Sequence, residues 1–443
     1  MGRLFGTDGI RGVANVDLTP TLAYDLGRAL GHYVDGAGRS VVVGRDTRRS
    51  GEMLAAALAA GLTSVGTDVL DIGVVPTPCL AYVAEHGEHV AGVMVSASHN
   101  PPDDNGLKVV SGGRKMDDEA EERLEHLIFQ AEALPGPTNA GLGRVRHDPT
   151  AVEGYRAHLA AIAGDSLAGL RIGVDAAHGS ASVFGPDTLE ALGAEVTAIH
   201  VDPDGTNINI GGGATEPTAL ADLVKARGLD MGFAFDGDAD RLIAVSESGT
   251  IVDGDGVMGI CALQRLAAGT LPESTLVVSV MSNDGLVRAV EAAGGRVIRA
   301  PVGDRHIVEA MERSGAMLGG EQSGHIIFRD LASTGDGLLT AIQLVAAIRA
   351  GGGASLGELA ARIPRLPQVV INSGVRHKDQ WQVDPLFADA VARATARLGS
   401  RGRILVRASG TEPKLRIMVE GEEPEEIATI ARELADLATA RLN

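Results

Sequence analysis

Three carboxylates stand at alternate positions in the segment Asp236-Gly237-Asp238-Ala239-Asp240-Arg241, with one small residue between each pair. A turn this acidic repels itself unless a cation is present, and hard divalent cations such as Mg²⁺ prefer carboxylate oxygens. The spacing therefore predicts a metal site at Asp236, Asp238 and Asp240, in preference to a solvated acidic turn.

A hydroxyl, an imidazole and an amide occur together in the loop Ser96-Ala97-Ser98-His99-Asn100-Pro101, directly after a run predicted to be a strand ending near Val95. Ligands of α/β proteins bind at the carboxyl ends of strands, so Ser98 is a candidate nucleophile. Lys108 adds a cation that could hold a phosphate or stabilise a leaving oxygen. Ser, Asn and Pro are also common turn residues, and these six residues alone favour an ordinary turn.

Two further loops have the composition of sugar and phosphate sites. In Gly319–His325, Glu321 and Ser323 offer an acceptor and a donor for neighbouring sugar hydroxyls, although this loop alone favours a helix-to-strand turn. In Arg407–Arg416, two arginines flank a Ser409-Gly410-Thr411 turn. Its backbone N–H groups, hydroxyls and guanidinium groups predict a phosphate cradle in preference to a plain hairpin.

The order of elements predicts how these loops are positioned. Short β-branched runs alternate with Ala/Leu-rich segments of helical period, which indicates strand–helix–strand units and an α/β fold. A Pro- and Gly-rich break at 134–141 and a break with two prolines at 363–367 predict domain boundaries. Near the C-terminus, two strands at Arg403–Val406 and Leu415–Val419 precede an amphipathic helix at Pro424–Leu442. We predict three similar α/β domains with mixed or parallel sheets and a smaller C-terminal α+β domain, at residues 1–140, 150–250, 251–365 and 366–443.

The composition excludes several classes of function. A net charge of −19 at pH 7 and an aromatic content of only 3% argue against binding to nucleic acid or to anionic membranes. No apolar stretch approaches the roughly 18 residues that span a bilayer. Cys79 and Cys261 form no Cys-x-x-Cys pattern, so we expect neither a disulfide framework nor a thiolate metal site. This cysteine usage predicts a cytoplasmic location.

The four loops, in this order and one in each predicted domain, resemble those of the α-D-phosphohexomutase family over essentially the whole chain. Three segments most resemble the bacterial phosphoglucosamine mutase branch of that family: Phe5–Gly12, Ser96–Pro101 and Ser333–Thr340. The resemblance implies that the four domains surround a central cleft.

The resemblance also implies roles for the loop residues. Ser98 would carry a phosphoryl group, and one Mg²⁺ per chain would be held by Asp236, Asp238, Asp240 and an oxygen of phosphoserine 98. Glu321 and Ser323 would hold sugar hydroxyls. The phosphate that is not reacting would be held by Arg407, Ser409, Gly410, Thr411 and Arg416. Further catalytic candidates, with their roles as acid, base or charge stabiliser left open, are Arg11, His99, Lys108 and His325.

The implied reaction interconverts glucosamine 6-phosphate and glucosamine 1-phosphate, and would feed amino-sugar nucleotide and cell-wall precursor synthesis. A sugar 1,6-bisphosphate would be both intermediate and primer. The partner is then a phosphosugar, and a homodimer is among the oligomeric states that the sequence allows. One alternative is a phosphoglucomutase or phosphomannomutase. Others are an aspartyl-phosphate sugar phosphatase with Asp236 as nucleophile, which leaves Ser98 unexplained, and a non-catalytic sugar-phosphate binder, which needs neither Ser98 nor three carboxylates.

Overall fold

The structure is a computed structural model that describes residues 4–6, 8–409 and 413–443. Packing divides the chain into two units. The first unit runs to Ser279 and resumes from Ala293 to Arg362. The second contains Val280–Ala292 and Ile363–Asn443. Three sheets lie in the first unit and one in the second, within the described residues.

The first sheet has the strand order β1-β2-β6-β5-β3-β4-β8, with β7 paired to β6. Its strands and the accompanying helices are β1 (Phe5–Gly6), β2 (Gly9–Val13), α1 (Pro20–Tyr33), β3 (Ser40–Arg45), α2 (Ser50–Ser64), β4 (Asp68–Val74), α3 (Thr77–His86), β5 (His89–Val95), β6 (Asp104–Ser111), β7 (Arg114–Lys115), α4 (Asp118–Ile128) and β8 (Val145–His147). Strands β3, β4, β5 and β8 are parallel, whereas the pairs β5–β6, β6–β2 and β2–β1 are antiparallel. Strand β5 is apolar and buried along most of its length, as expected for a strand covered on both faces.

The second sheet has the order β10-β9-β11-β12-β13. The elements of this part are α5 (Glu153–Ala163), β9 (Arg171–Asp175), α6 (Ala181–Ala191), β10 (Glu195–Ile199), α7 (Thr218–Arg227), β11 (Met231–Phe235), β12 (Leu242–Ser246) and β13 (Ile251–Val252). Strands β10, β9 and β11 are parallel, and β12 reverses direction beside β11. The acidic segment thus forms the connection between two adjacent, fully buried strands.

The third sheet has the order β15-β14-β16-β17. The elements here are α8 (Gly254–Ala267), β14 (Thr275–Ser279), α9 (Asp284–Ala292), β15 (Arg296–Ala300), α10 (Asp304–Ser314), β16 (Leu318–Gly320), β17 (Ile326–Phe328), α11 (Gly337–Ala350) and α12 (Leu356–Ala360). Helix α9 belongs to the second unit. Asp336 caps α11 by accepting a hydrogen bond from the Leu339 backbone nitrogen at 2.9 Å. The same carboxylate also accepts a hydrogen bond from the Tyr155 hydroxyl at 2.8 Å.

The second unit is built on an antiparallel sheet of order β18-β20-β19. Its remaining elements are β18 (Gln368–Gly374), α13 (Pro385–Leu398), β19 (Gly402–Ala408), β20 (Lys414–Gly421) and α14 (Pro424–Arg441). Residues of α13, α14 and the sheet form one hydrophobic core around Phe387, Ile417 and Ile430. Glu420, which is fully buried, ties α9 to this unit by accepting a hydrogen bond from the Asp284 backbone nitrogen at 2.9 Å.

The predicted α/β class, the mixed sheets and the smaller C-terminal α+β part are confirmed. The four domain boundaries and the central cleft stay predictions. Within the described ranges, every helix is too short or too polar to serve as a membrane span.

Candidate active site

Ser98 and the acidic segment, which are far apart in the sequence, lie in contact. Ser98 follows the carboxyl end of β5, and its Oγ donates a hydrogen bond to Asp236 Oδ2 at 2.5 Å. The side chains of both residues are buried. A Cβ at Gly237 would lie 2.5 Å from the Ser98 carbonyl oxygen, so the absence of a side chain at Gly237 permits this approach. The structure therefore brings the predicted nucleophile to the predicted metal loop.

The backbone of Ser98 is held in an unusual conformation. Its φ is +50°, in the left-handed region that non-glycine residues rarely adopt. The Ser98 backbone nitrogen donates to Ser96 Oγ at 2.9 Å, and Ser96 Oγ in turn donates to Asp46 Oδ2 at 2.6 Å. Such a conformation persists only where the surroundings fix it, and it is frequent at functional sites.

Asp236, Asp238 and Asp240 are buried and each offers a carboxylate oxygen within 4.8 Å of the others. Asp238 Oδ1 and Asp240 Oδ1 are buried and accept no hydrogen bond from any described residue. Buried carboxylate oxygens without a donor are costly unless a cation satisfies them. The three residues therefore fit a hard divalent cation.

Lys108 is the closest cation to this loop. Its Nζ lies 2.7 Å from Asp238 Oδ2, 3.2 Å from Asp8 Oδ2 and 3.9 Å from Asp240 Oδ2. Burial alone would lower the pKa of Lys108, but these carboxylates outweigh burial and raise it, so the ammonium stays charged. Within the loop, Arg241 Nε lies 3.8 Å from Asp240 Oδ1 and 4.0 Å from Asp236 Oδ2, yet these cations do not offset the effect of burial on Asp236. Burial, and then the carboxylates of Asp240 and Asp238, raise the pKa of Asp236 to about 8.

His325 and His99, the two histidines of the site, differ in charge at neutral pH. His325 Nδ1 lies 3.6 Å from Asp240 Oδ2, and its Nε2 lies 3.6 Å from Asp304 Oδ1. Burial alone would lower the pKa of His325, but Asp304 and Asp240 raise it to about 9, so this imidazole is protonated. His99 Nδ1 lies 3.4 Å from Ser98 Oγ. Burial, followed by the nearby arginines, lowers the pKa of His99 to about 4, so it is neutral.

Arg11 takes part in a network of charges around Asp8. Asp8 forms ion pairs with Arg11, Lys115 and Lys108. Burial would raise the pKa of Asp8, but these three cations hold it well below its usual range. Lys115 Nζ also lies 2.6 Å from Asp304 Oδ2, so the network joins the β1–β2 hairpin to α10. Arg11, Lys108 and His325 are thus linked through shared carboxylates, and their roles in catalysis stay predictions.

Glu321 and Ser323 lie in the turn between β16 and β17, just before His325. Glu321 Oε1 accepts a hydrogen bond from the Gly303 backbone nitrogen at 3.0 Å, whereas Ser323 is exposed. Gly324 completes the turn with a φ of +92°. The predicted sugar-binding pair is therefore accessible in part and lies next to a predicted catalytic residue. Its role in holding sugar hydroxyls stays a prediction.

The fourth predicted loop lies in the second unit. Arg407 on β19 is paired with Arg416 on β20, so the two side chains share one face of the sheet. Neither guanidinium forms a hydrogen bond or an ion pair with any residue in the described part of the chain. Like charges on directly opposed residues are destabilising, so this pair favours a bound anion. Ser409 is buried, and Gly410 and Thr411 lie outside the described residues.

Several contacts at this site involve residues that the sequence analysis did not select. Thr77, at the start of α3, donates its hydroxyl to Asp238 Oδ2 and its backbone nitrogen to the Asp238 carbonyl at 2.9 Å. Asp46 and Arg48 follow β3, and the position of polar residues after a strand is the signal that also selected Ser98. Asn209 comes from an irregular loop of the second sheet, and nothing in its local sequence indicated a role.

Comparisons with known proteins match the same family along almost the whole chain. Four phosphoglucomutase/phosphomannomutase models match in succession: alpha/beta/alpha domain I at residues 2–134, domain II at 153–249, domain III at 253–366 and the C-terminal domain at 370–437. The phosphoglucosamine mutase of Symbiobacterium thermophilum is 51% identical over 448 residues, covering 100% of both chains. That of Moorella thermoacetica is also 51% identical, over 99% of this chain and 100% of the relative. A crystal structure of a phosphoglucomutase/phosphomannomutase family protein from Burkholderia thailandensis superposes with a TM-score of 0.84 at 29% identity, covering 100% of this chain and 99% of that one.

Proposed function

Since the chain belongs to the phosphoglucomutase/phosphomannomutase family, we propose that it is a phosphoglucosamine mutase, an intramolecular phosphotransferase of the isomerase class. The family predicted from the four loops is confirmed. The observation that carries the proposed chemistry is the hydrogen bond from Ser98 Oγ to the acidic loop, because it supports a nucleophile acting beside the proposed cation site. The choice of glucosamine is supported by the relatives at 51% identity.

In the proposed mechanism, phosphoserine 98 donates its phosphoryl group to the free hydroxyl of glucosamine 6-phosphate. The hydroxyl oxygen bonds to phosphorus, the bond from phosphorus to Ser98 Oγ breaks, the hydroxyl loses its proton, and Ser98 Oγ gains one. The 1,6-bisphosphate then turns over, and the reverse transfer leaves glucosamine 1-phosphate. The protonated His325 and the neutral His99 have the charge states of a proton donor and a proton acceptor.

The cation site belongs to this mechanism. Asp236, Asp238 and Asp240, with an oxygen of phosphoserine 98, would hold one Mg²⁺. When bound, the ion neutralises charge on the phosphoryl group being transferred. Lys108 remains the protein's own fixed cation beside the loop, held there by Asp8 and Asp238.

The sugar and the second phosphate are assigned to the other two loops. Glu321 and Ser323 would bind sugar hydroxyls in either orientation of the intermediate. The unpaired, like-charged Arg407 and Arg416 would bind the phosphate that is not reacting, together with Ser409, Gly410 and Thr411. A homodimer and a cytoplasmic location stay predictions from the sequence.

The phosphate assignment gives a testable prediction for Arg416. Because a charge-assisted hydrogen bond contributes about 1.5 to 3 kcal/mol, Arg416→Ala should weaken phosphosugar binding by roughly ten-fold to a hundred-fold. Both half-reactions should be affected, since the same cradle holds the 6-phosphate in one and the 1-phosphate in the other. The measurements are phosphosugar affinity and the two single-turnover rates. Arg432→Ala, an exposed arginine on α14, is the matched control and should change neither. Unchanged affinity in Arg416→Ala, or a defect in one direction only, contradicts the assignment.

A comparison of substrates tests the function itself. We expect the highest kcat/KM with glucosamine 6-phosphate, compared with glucose 6-phosphate and mannose 6-phosphate, in assays primed with the matching 1,6-bisphosphate. Equal or higher values for glucose or mannose phosphates would indicate a broader phosphohexomutase. Continuous release of inorganic phosphate, with the covalent phosphate mapped to Asp236, would indicate a phosphatase.

A further inference from the structure

A buried arginine, Arg48, binds the backbone of the loop that carries Ser98. The Arg48 side chain has no solvent exposure, and its Nε lies 2.9 Å from Asp46 Oδ2. Its two terminal nitrogens donate to four backbone carbonyl oxygens of this loop: Ser98 at 2.9 Å, Asn100 at 2.8 Å, Asp104 at 2.9 Å, and Pro101. A planar guanidinium with five donors can hold several carbonyls at fixed positions, which a lysine ammonium cannot do equally well.

A second donor, Asn209 in the loop between β10 and α7, binds two of the same carbonyl oxygens. Asn209 Nδ2 donates to the Ser98 carbonyl at 2.8 Å and to the Asn100 carbonyl at 3.1 Å. The Asn209 backbone is itself fixed, because its nitrogen donates to the Ala177 carbonyl at 2.8 Å. Arg48 and Asn209 therefore hold the Ser98 peptide from two parts of the fold.

The hydrogen bonds from Arg48 and Asn209 help to set the orientation of the Ser98 side chain. Ser98 has a φ of +50°, a conformation that costs on the order of 1–3 kcal/mol and needs external support. The two donors to its carbonyl fix the peptide plane that follows Ser98, and the hydrogen bond from its nitrogen to Ser96 Oγ fixes the plane before it. With both planes fixed, the Cβ of Ser98 points toward the acidic loop, where Oγ meets Asp236 Oδ2 at 2.5 Å.

We propose that Arg48 and Asn209 are positioning residues that hold Ser98 for phosphoryl transfer in both directions. The proposal rests on the proposed function, and assigns to these residues an effect on the transfer rate and none on phosphosugar affinity. Displacement of a reacting atom by about 1 Å can reduce a rate about a hundred-fold. Loss of one of the two donors should therefore slow transfer by at least about ten-fold.

Asn209→Gly is the decisive variant. Asn209 has a φ of +59°, which glycine adopts without strain, so the substitution removes the amide and keeps the backbone. The matched control is Asn207→Gly in the same loop, whose Nδ2 donates to the Asp202 carbonyl at 3.0 Å. Both variants lose one amide and gain the backbone freedom of a glycine, but only Asn209 contacts the Ser98 loop.

The readout is single-turnover transfer from the phosphorylated enzyme, used in excess, to glucosamine 6-phosphate. The observed rate constant reports transfer in correctly folded molecules, whereas the amplitude reports how many molecules are active. We expect Asn209→Gly to lower the rate constant at least about ten-fold in each direction at unchanged phosphosugar affinity, and Asn207→Gly to match the wild type. Arg48→Lys, which keeps the charge beside Asp46, should lower the rate constant further if it folds.

The outcomes separate this inference from the function on which it rests. A wild-type enzyme that transfers normally, with an Asn209→Gly rate constant equal to that of wild type, overturns the positioning role and leaves the mutase function intact. A reduced amplitude with an unchanged rate constant also overturns it, because a merely structural contact behaves in this way. A wild-type enzyme with neither phosphoserine 98 nor transfer overturns both.

Discussion

Replacement of Ser98 by alanine is expected to reduce mutase turnover by at least about 10⁴-fold, because it removes the hydroxyl proposed to carry the phosphoryl group. Alanine keeps the Cβ that serine already has, so the left-handed φ of +50° is no more strained than in the wild type. The lost hydrogen bonds lead to His99 Nδ1, at 3.4 Å, and to Asp236, a carboxyl that burial and its neighbours already favour as the neutral form. The fold should therefore persist, and a thermal melt should show it.

The assay for this variant is turnover of glucosamine 6-phosphate together with intact mass. The wild type should show one added phosphate that maps to Ser98, and Ser98→Ala should show none. A matched control is Ser246→Ala, which removes a buried serine hydroxyl at the end of β12 that is farther from the acidic loop and should keep wild-type turnover. Substantial turnover in Ser98→Ala, or a phosphate retained on Asp236, would contradict the phosphoserine mechanism.

The parts of the site that the sequence predicts are those formed by contiguous residues. The acidic triad is predictable because one short turn contains all three carboxylates. The position of Ser98 after an apolar strand makes it a candidate nucleophile, although its loop alone favours an ordinary turn. The antiparallel pairing of β19 and β20 follows from two predicted strands separated by only a few residues. In each case the chemistry and the local structure are specified by the same few residues.

The parts that the sequence does not predict are contacts between distant segments. Asn209 donates to the Ser98 carbonyl across 111 residues, and Thr77 donates to Asp238 across 161. The residues around Asn209 are those of an ordinary loop, and the residues around Thr77 are those of an ordinary helix start. Only the packing of the sheets therefore reveals their hydrogen-bond partners. Strand β18 is absent from the predicted elements for a different reason: it is a half-exposed edge strand without a clean apolar alternation.

Binding of Mg²⁺ to the dephosphorylated enzyme is expected to release a proton and to strengthen with rising pH. Burial and the carboxylates of Asp240 and Asp238 raise the pKa of Asp236 to about 8, so below that pH Asp236 is mostly protonated in the metal-free site. A divalent cation binds the ionised carboxylate, and therefore competes with that proton. The apparent affinity should fall about five-fold from pH 8 to pH 7 and about ten-fold from pH 7 to pH 6, and should level off above pH 8.

Isothermal titration calorimetry of Mg²⁺ binding at pH 6, 7, 8 and 9, in buffers of different ionisation enthalpy, measures both the affinity and the released proton. Asp236→Asn cannot take up that proton, so its affinity should be weak and nearly independent of pH. Asp336→Asn is the matched control, because burial raises the pKa of Asp336 only to about 6 and its carboxylate caps α11 instead of facing the cation site. This control should retain the wild-type rise in affinity, about five-fold between pH 7 and 8. Wild-type affinity that is the same at pH 6 and pH 8, or turnover that survives verified removal of divalent metal, would show that Asp236 does not exchange its proton for a catalytic cation.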